Sequence, residues 1–86
     1  MAMNKILVTG GMGFIGSCFI RHVIKEYPDC KIVNYDSLTY AGNLQNLDGV
    51  RNHSNYNFVR GDICDREAVS NLISSNGFDK IINFAA

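Results

Sequence analysis

The sequence predicts an α/β protein, the N-terminal part of a doubly wound parallel sheet with strand order 3-2-1-4. Three observations carry this. Four strand-like apolar runs occur in 86 residues, and stretches of helical periodicity follow the first and third. The first run, Ile6-Leu7-Val8, shows no polar alternation, which suits a strand buried on both faces. A glycine-rich turn, Gly10-Gly11-Met12-Gly13, then joins that run directly to a helix. Strands that alternate with helices pack as parallel sheets with right-handed crossovers.

The elements follow in order. Lys5 to Thr9 forms the first strand, and Ile20, Val23 and Ile24 recur at helical spacing in a helix over Phe14–Glu26. Pro28 prevents that helix from continuing far. Residues 31–35 read as a second strand that ends at Asp36. From Ser37 to Asn55 the chain is polar and turn-rich, with a short helix expected near 43–48. Ordered loops of this length usually serve function. Residues 56–60 alternate with period two, predict a third strand and close on Gly61-Asp62. Asp65 is a good N-cap, Glu67 suits the first turn, and Val69, Leu72 and Ile73 make an apolar stripe. Gly77 stands where a C-terminal cap belongs. Residues 80–86 read as the fourth strand.

In this strand order the fourth strand lies at the sheet edge, and a ligand crevice opens between strands one and four. Such folds normally continue with two more strands there. The chain is therefore expected to be truncated after strand four. Residues 1–86 would form the first part of a dinucleotide-binding domain, with the rest of that domain and any substrate domain absent. Alone it would be marginally stable or self-associating, because the edge is uncovered.

Composition narrows the function classes. Eight basic residues balance eight acidic ones, so no polyanion-binding surface is expected and nucleic acid is not a predicted partner. No apolar run approaches a membrane span, and the first residues lead into a strand without a signal peptide. A soluble cytoplasmic protein is the expectation. Cys18, Cys30 and Cys64 are odd in number, far apart and without metal spacing. They read as reduced structural thiols. His22 and His53 read as solvated surface residues, and no metal site is expected.

Gly11-x-Gly13-x-x-Gly16 is a literal G-x-G-x-x-G, overlapped by Thr9-Gly10-x-x-Gly13-x-x-Gly16. A dinucleotide pyrophosphate seeks unpaired N–H groups at a helix N-terminus. Residues without Cβ atoms adopt unusual φ values and let backbone approach the phosphates. Gly10 and Gly13 would serve that turn, and Gly16 would let the helix lie close to the first strand. Asp36, twenty residues after Gly16, can accept hydrogen bonds from both ribose hydroxyls of an adenosine. It would repel the extra phosphate of NADP, and no Arg or Lys follows until Arg51, so NAD is the expected cofactor. Asp62, at the end of strand three, offers a carboxylate beside a backbone N–H for the edge of adenine. Ala85 and Ala86 would let a cofactor lie against backbone, or pack against the first helix. Each position alone has a plain alternative: a ligand-free glycine turn, a turn residue at 36, a turn or cap residue at 62. Together at one sheet edge they favour a nucleotide site.

Thr9 to Gly16, Asp62-Ile63 and Asn83-Phe84-Ala85-Ala86 together resemble the extended short-chain dehydrogenase/reductase family of nucleotide-sugar enzymes. The loop Asp36-Ser37-Leu38-Thr39-Tyr40-Ala41-Gly42-Asn43-Leu44 is similar to that of its dTDP-glucose 4,6-dehydratase branch. The resemblance covers essentially the whole chain, but only about the first quarter of such an enzyme. It implies a Rossmann fold and NAD, with backbone N–H groups of Phe14 and Ile15 on the pyrophosphate. It implies Asp36, Ser37, Leu38 and Thr39 around the ribose, and Asp62 and Ile63 at adenine. Phe84, Ala85 and Ala86 would line the cofactor channel. The implied activity is that of a lyase acting on dTDP-glucose: oxidation at C4, loss of water across C5 and C6, and hydride return at C6. The product is dTDP-4-keto-6-deoxyglucose. A homodimeric parent is implied, with its acid, base and Tyr-x-x-x-Lys segments beyond Ala86, so no catalytic residue is expected here. An epimerase or UDP-sugar dehydratase of the same family, or a non-catalytic dinucleotide-binding module, stays open. A methyltransferase fits less well, because Thr9 stands where an acidic residue normally precedes the glycine loop.

Tyr27-Pro28-Asp29-Cys30-Lys31 matches Tyr-x-x-x-Lys by letter. Residues at i and i+4 share a face only on a continuous helix, and Pro28 ends this one. Helix one also runs away from the pyrophosphate turn, about 20 Å by Tyr27 at 1.5 Å per residue. The pair is a decoy.

Overall fold

A computed structural model describes residues 5–11, 13–37, 47, 49–50 and 52–84. The element order is β1 (Lys5–Thr9), α1 (Phe14–Glu26), β2 (Lys31–Asp36), β3 (Tyr56–Arg60), α2 (Arg66–Asn76) and β4 (Lys80–Asn83). All strand pairs are parallel, and the sheet order is β3-β2-β1-β4, as the sequence predicts. Leu7 lies between Val33 of β2 and Ile81 of β4.

The two inner strands carry the core. Ile6, Leu7, Val8 and Thr9 are buried, and Ile32, Val33, Asn34 and Tyr35 are buried as deeply. β2 is as buried as β1 because, like β1, it has a neighbour on both sides. Side chains alternate between two faces, as strand geometry requires. Ile6, Val8 and Ile32 meet Ile20, Val23 and Ile24 of α1, together with Cys30, Leu47 and Tyr56. Leu7, Val33 and Tyr35 point the other way, toward Val69 and Leu72 of α2, Ile63 and Phe78. One helix therefore covers each face, and the sheet is doubly wound. Phe58 and Val59, adjacent on β3, join opposite faces.

The helix boundaries follow their punctuation. α1 ends at Tyr27, whose N–H donates to the Val23 carbonyl at 2.7 Å, just before Pro28. The Asp65 carboxylate accepts from the Ala68 N–H at 3.1 Å and caps α2. Gly77 closes it in the left-handed region, with φ 63°. Ile73 stays on the exposed side of the predicted stripe, and Ile81 of β4 is also exposed. β4 is shorter than predicted and ends at Asn83, although the Phe84 N–H still donates to the Thr9 carbonyl at 2.7 Å. The short helix expected over 43–48 lies almost wholly outside the described residues; Leu47 within it is buried. All three cysteines are free thiols, and burial pushes that of Cys30 up, helped by Asp79 and opposed by Lys80. His22 is exposed, and His53 is half-buried, its Nδ1 accepting from the Asn55 N–H at 3.1 Å. No helix among the described residues is long and apolar enough to cross a membrane.

Candidate dinucleotide site at the carboxyl edge of the sheet

Parallel strands bring their carboxyl ends to one edge, and the candidate residues gather there. Thr9 ends beside Asn83 on one side and Tyr35 on the other, and Asp36 lies opposite Arg60. The Thr9 hydroxyl donates to Asn83 Oδ1 at 2.6 Å, fastening β1 to β4 where the crevice is expected.

The glycines of the turn divide by what each one does. Gly10 has φ 76°, a conformation that favours glycine. A Cβ on Gly11 would overlap the Asn34 side chain and the tip of Ile20. One on Gly16 would stand 2.5 Å from the Gly10 carbonyl oxygen. The close approach expected at Gly16 is therefore to the turn itself, more directly than to β1. Gly13 differs from all three: its φ is −72°, and a Cβ there would meet only the Gly10 carbonyl oxygen, at an ordinary 3.5 Å. Nothing among the described residues crowds a side chain at 13. A ligand lying against bare backbone would.

Hydrogen-bond accounting shows which donors the turn keeps for itself. The Gly10 N–H donates to the Tyr35 carbonyl at 3.1 Å, Gly11 N–H to Asn34 Oδ1 at 3.0 Å, and Gly13 N–H to the Gly10 carbonyl at 3.3 Å. The bond from the Ser17 N–H to the Gly13 carbonyl, at 2.9 Å, closes the first turn of α1. The N–H groups of Phe14 and Ile15 precede that turn and have no acceptor within the helix. Gly13 provides no side-chain cap, and the first turn carries no acidic residue that would compete with an anion. Both side chains are exposed.

Asp36 and Ser37 are half-buried at the end of β2. The Asp36 carbonyl accepts from the Gly61 N–H at 3.1 Å, which ties the ends of β2 and β3 together. Gly61 has no room for a side chain, because the Tyr35 ring covers it. The Tyr35 hydroxyl reaches on to donate to the Asp62 carbonyl at 2.9 Å. Burial, with Asp65 and Asp62 adding negative charge, holds that phenol above its ordinary pKa. Asp62 is exposed, and its Oδ1 accepts from the Cys64 N–H at 2.8 Å. The turn role weighed for Asp62 is thus present, with Oδ2 outside that bond. Ile63 packs under α2 against the sheet. Phe84 packs on Phe19 of α1, ring centroids 5.5 Å apart. Leu38, Thr39, Ala85 and Ala86 lie outside the described residues.

Two residues escape a motif-based reading, Asn34 near this edge and Tyr56 at the start of β3. Asn34, wholly buried in β2, holds the glycine turn through Gly11, and its Nδ2 donates to the Tyr56 hydroxyl at 3.1 Å. The signal was an asparagine inside an otherwise apolar strand, Ile32-Val33-Asn34-Tyr35.

The family profile described as GDP-mannose 4,6 dehydratase matches residues 7–86. The chain belongs to that family. It is 48% identical over 82 residues to the dTDP-glucose 4,6-dehydratase of Escherichia coli, covering 95% of this chain and 22% of that protein. Among solved structures it is similar to the dTDP-glucose 4,6-dehydratase of Bacillus anthracis in complex with NAD: TM-score 0.92, identity 47%, coverage 99% of this chain and 27% of that one. The Streptomyces venezuelae enzyme DesIV, a dTDP-glucose 4,6-dehydratase also crystallised with NAD, gives a TM-score of 0.86 and 44% identity, covering 95% and 26%. The chain spans about a quarter of the length of these family members. The α/β architecture and strand order expected from sequence are those of the N-terminal Rossmann part of the dehydratases.

Proposed function

We propose that residues 1–86 are the N-terminal part of the NAD-binding domain of a dTDP-glucose 4,6-dehydratase, a lyase whose remaining sheet and substrate domain lie in a longer parent chain. The observation that carries the cofactor reading is Gly13, where no described residue crowds a side chain, beside two N–H donors without helical acceptors. The choice of sugar nucleotide rests on 48% identity to a dTDP-glucose 4,6-dehydratase across 95% of the chain.

The residues present fit the cofactor. The Phe14 and Ile15 N–H groups would hold the pyrophosphate, with Gly10, Gly13 and Gly16 allowing the approach. Asp36, Ser37, Leu38 and Thr39 would surround the adenosine ribose, and the Asp36 charge would disfavour a 2′-phosphate. Asp62 and Ile63 would hold adenine, while Phe84, Ala85 and Ala86 would border the path toward the nicotinamide. Bound there, NAD supplies a hydride acceptor for C4 of the sugar and a hydride donor for C6. The protein's part within this chain is to bind and orient. Proton transfer and water loss fall to residues outside it, so this chain alone should convert no nucleotide sugar. We take the parent to be a cytoplasmic homodimer whose partner molecule is dTDP-glucose; three free thiols accord with a reducing compartment.

The test is steady-state assay of the full-length protein for a 4-keto sugar nucleotide from dTDP-glucose, with UDP-glucose as the competing substrate. Preference for dTDP-glucose supports the reading. Interconversion of UDP-glucose and UDP-galactose without a 4-keto product would make it an epimerase instead.

A further inference from the structure

A buried amide in the middle of a strand is costly unless its polar atoms are bonded. Asn34 is 0% exposed and satisfies both ends across two different elements. Its Oδ1 accepts from the Gly11 N–H at 3.0 Å, and its Nδ2 donates to the Tyr56 hydroxyl at 3.1 Å. A line of polar contacts thus runs from the start of β3, through β2, into the glycine turn after β1. The bond from the Gly10 N–H to the Tyr35 carbonyl is backbone to backbone and independent of residue type. The Gly11 bond requires a side-chain acceptor at residue 34, which the asparagine supplies. An amide turned over would set Nδ2 against the Gly11 N–H, donor facing donor, so the Gly11 N–H fixes the orientation, while the Tyr56 hydroxyl can donate or accept.

The fit at Gly11 is close: a Cβ there would overlap Asn34 Oδ1. Gly11 is followed two residues later by Gly13 and then by the N–H groups of Phe14 and Ile15, so a shift at Gly11 moves the donors that face an anion. We infer that Asn34, held by Tyr56, is a positioning residue for the diphosphate of the bound dinucleotide, acting through the Gly11 peptide. This rests on the cofactor reading above. It assigns Asn34 to the diphosphate and not to the adenosine, whose candidate contacts lie at the ends of β2 and β3.

The experiment is calorimetric titration of the full-length protein and its Asn34→Leu variant with NAD, ADP and adenosine, beside hydrogen exchange over residues 10–13. Loss of at least tenfold in affinity for NAD and ADP, with adenosine within twofold and faster exchange in the turn, is expected. A merely structural role would weaken all three ligands together. Should Asn34→Leu fail to fold, Tyr56→Phe keeps the ring and removes the hydroxyl; it is expected to weaken NAD and ADP two- to fivefold and to spare adenosine. Unchanged NAD and ADP affinity in a folded variant, or an equal loss for adenosine, overturns the assignment of Asn34. Wild-type protein that binds neither NAD nor ADP overturns the cofactor reading itself.

Discussion

A Cβ placed on Gly16 would stand 2.5 Å from the carbonyl oxygen of Gly10 and 2.9 Å from the Cα of Gly11. Both neighbours are backbone in a turn already held at Gly10 and Gly11, so neither can yield cheaply. Gly16→Ala should therefore destabilise the protein by about 1–3 kcal/mol, the usual cost of overpacking. Gly13→Ala should behave differently. Its φ suits alanine and its Cβ meets nothing tight among the described residues, but at the N-cap of α1 alanine is less favourable than glycine, so stability should change by no more than about 1 kcal/mol in either direction. NAD affinity should nonetheless fall at least tenfold, because the methyl group enters the phosphate approach. Thermal melts paired with NAD titration separate the two. A Gly13→Ala protein with full NAD affinity would remove Gly13 from the site.

Alkaline pH should destabilise the fold. Burial is the first cause raising Tyr35 and Tyr56, reinforced at Tyr56 by Asp36 and opposed by the hydrogen bond from Asn34. A tyrosine ordinarily titrates near 10. Between that value and the raised one, the unfolded chain has released protons that the folded chain retains, so stability falls as pH rises. The contribution is complete below about pH 10 and is lost as pH passes through the folded-state values. Melting midpoints at pH 8 and pH 11 give the check. A lower midpoint at pH 11, with a smaller drop in Tyr56→Phe, is expected; equal midpoints would contradict it.

Tyr27 should be dispensable for chemistry. It is 63% exposed at the C-terminus of α1, and Lys31 already begins β2, so the Tyr-x-x-x-Lys spacing never lies on one helix. In the full-length protein Tyr27→Phe should leave turnover within about twofold. A loss beyond tenfold would mean at least about 1.4 kcal/mol of transition-state stabilisation, and would place catalysis at the wrong edge of the sheet.

Most of the fold was legible because its punctuation is chemical. Pro28 stops α1, the Asp65 carboxylate caps α2, Gly77 closes it, and apolar runs, broken in β2 by Asn34, mark the two inner strands. The candidate nucleotide edge is legible in sequence only where a motif marks it. G-x-G-x-x-G names the glycines without saying which serve packing and which serve a ligand, and that division appears only once Gly10, Gly11 and Gly16 are seen in contact. Asn34 and Tyr56 are 22 residues apart and pair only because β2 and β3 run parallel, so no local pattern links them. The Tyr35 ring over Gly61 is long-range in the same way. Apolar residues at 84–86 look like strand, yet β4 ends at Asn83; the Phe84 N–H still bonds the Thr9 carbonyl, and Ala85 and Ala86 lie outside the described residues.

The central claim is that this sheet edge selects NAD, with Asp36 as the ribose acceptor. A hydrogen bond to a charged group contributes roughly 1.5–3 kcal/mol, so losing the Asp36 carboxylate should weaken NAD binding about 10- to 150-fold. Calorimetric titration of NAD and NADP into the full-length protein and its Asp36→Ala variant measures this directly. The account predicts tighter binding of NAD than NADP by the wild type, a 10- to 150-fold loss for NAD in the variant, and a narrowed gap between the two cofactors. Equal NAD affinity in wild type and variant, or a wild-type preference for NADP, would contradict it.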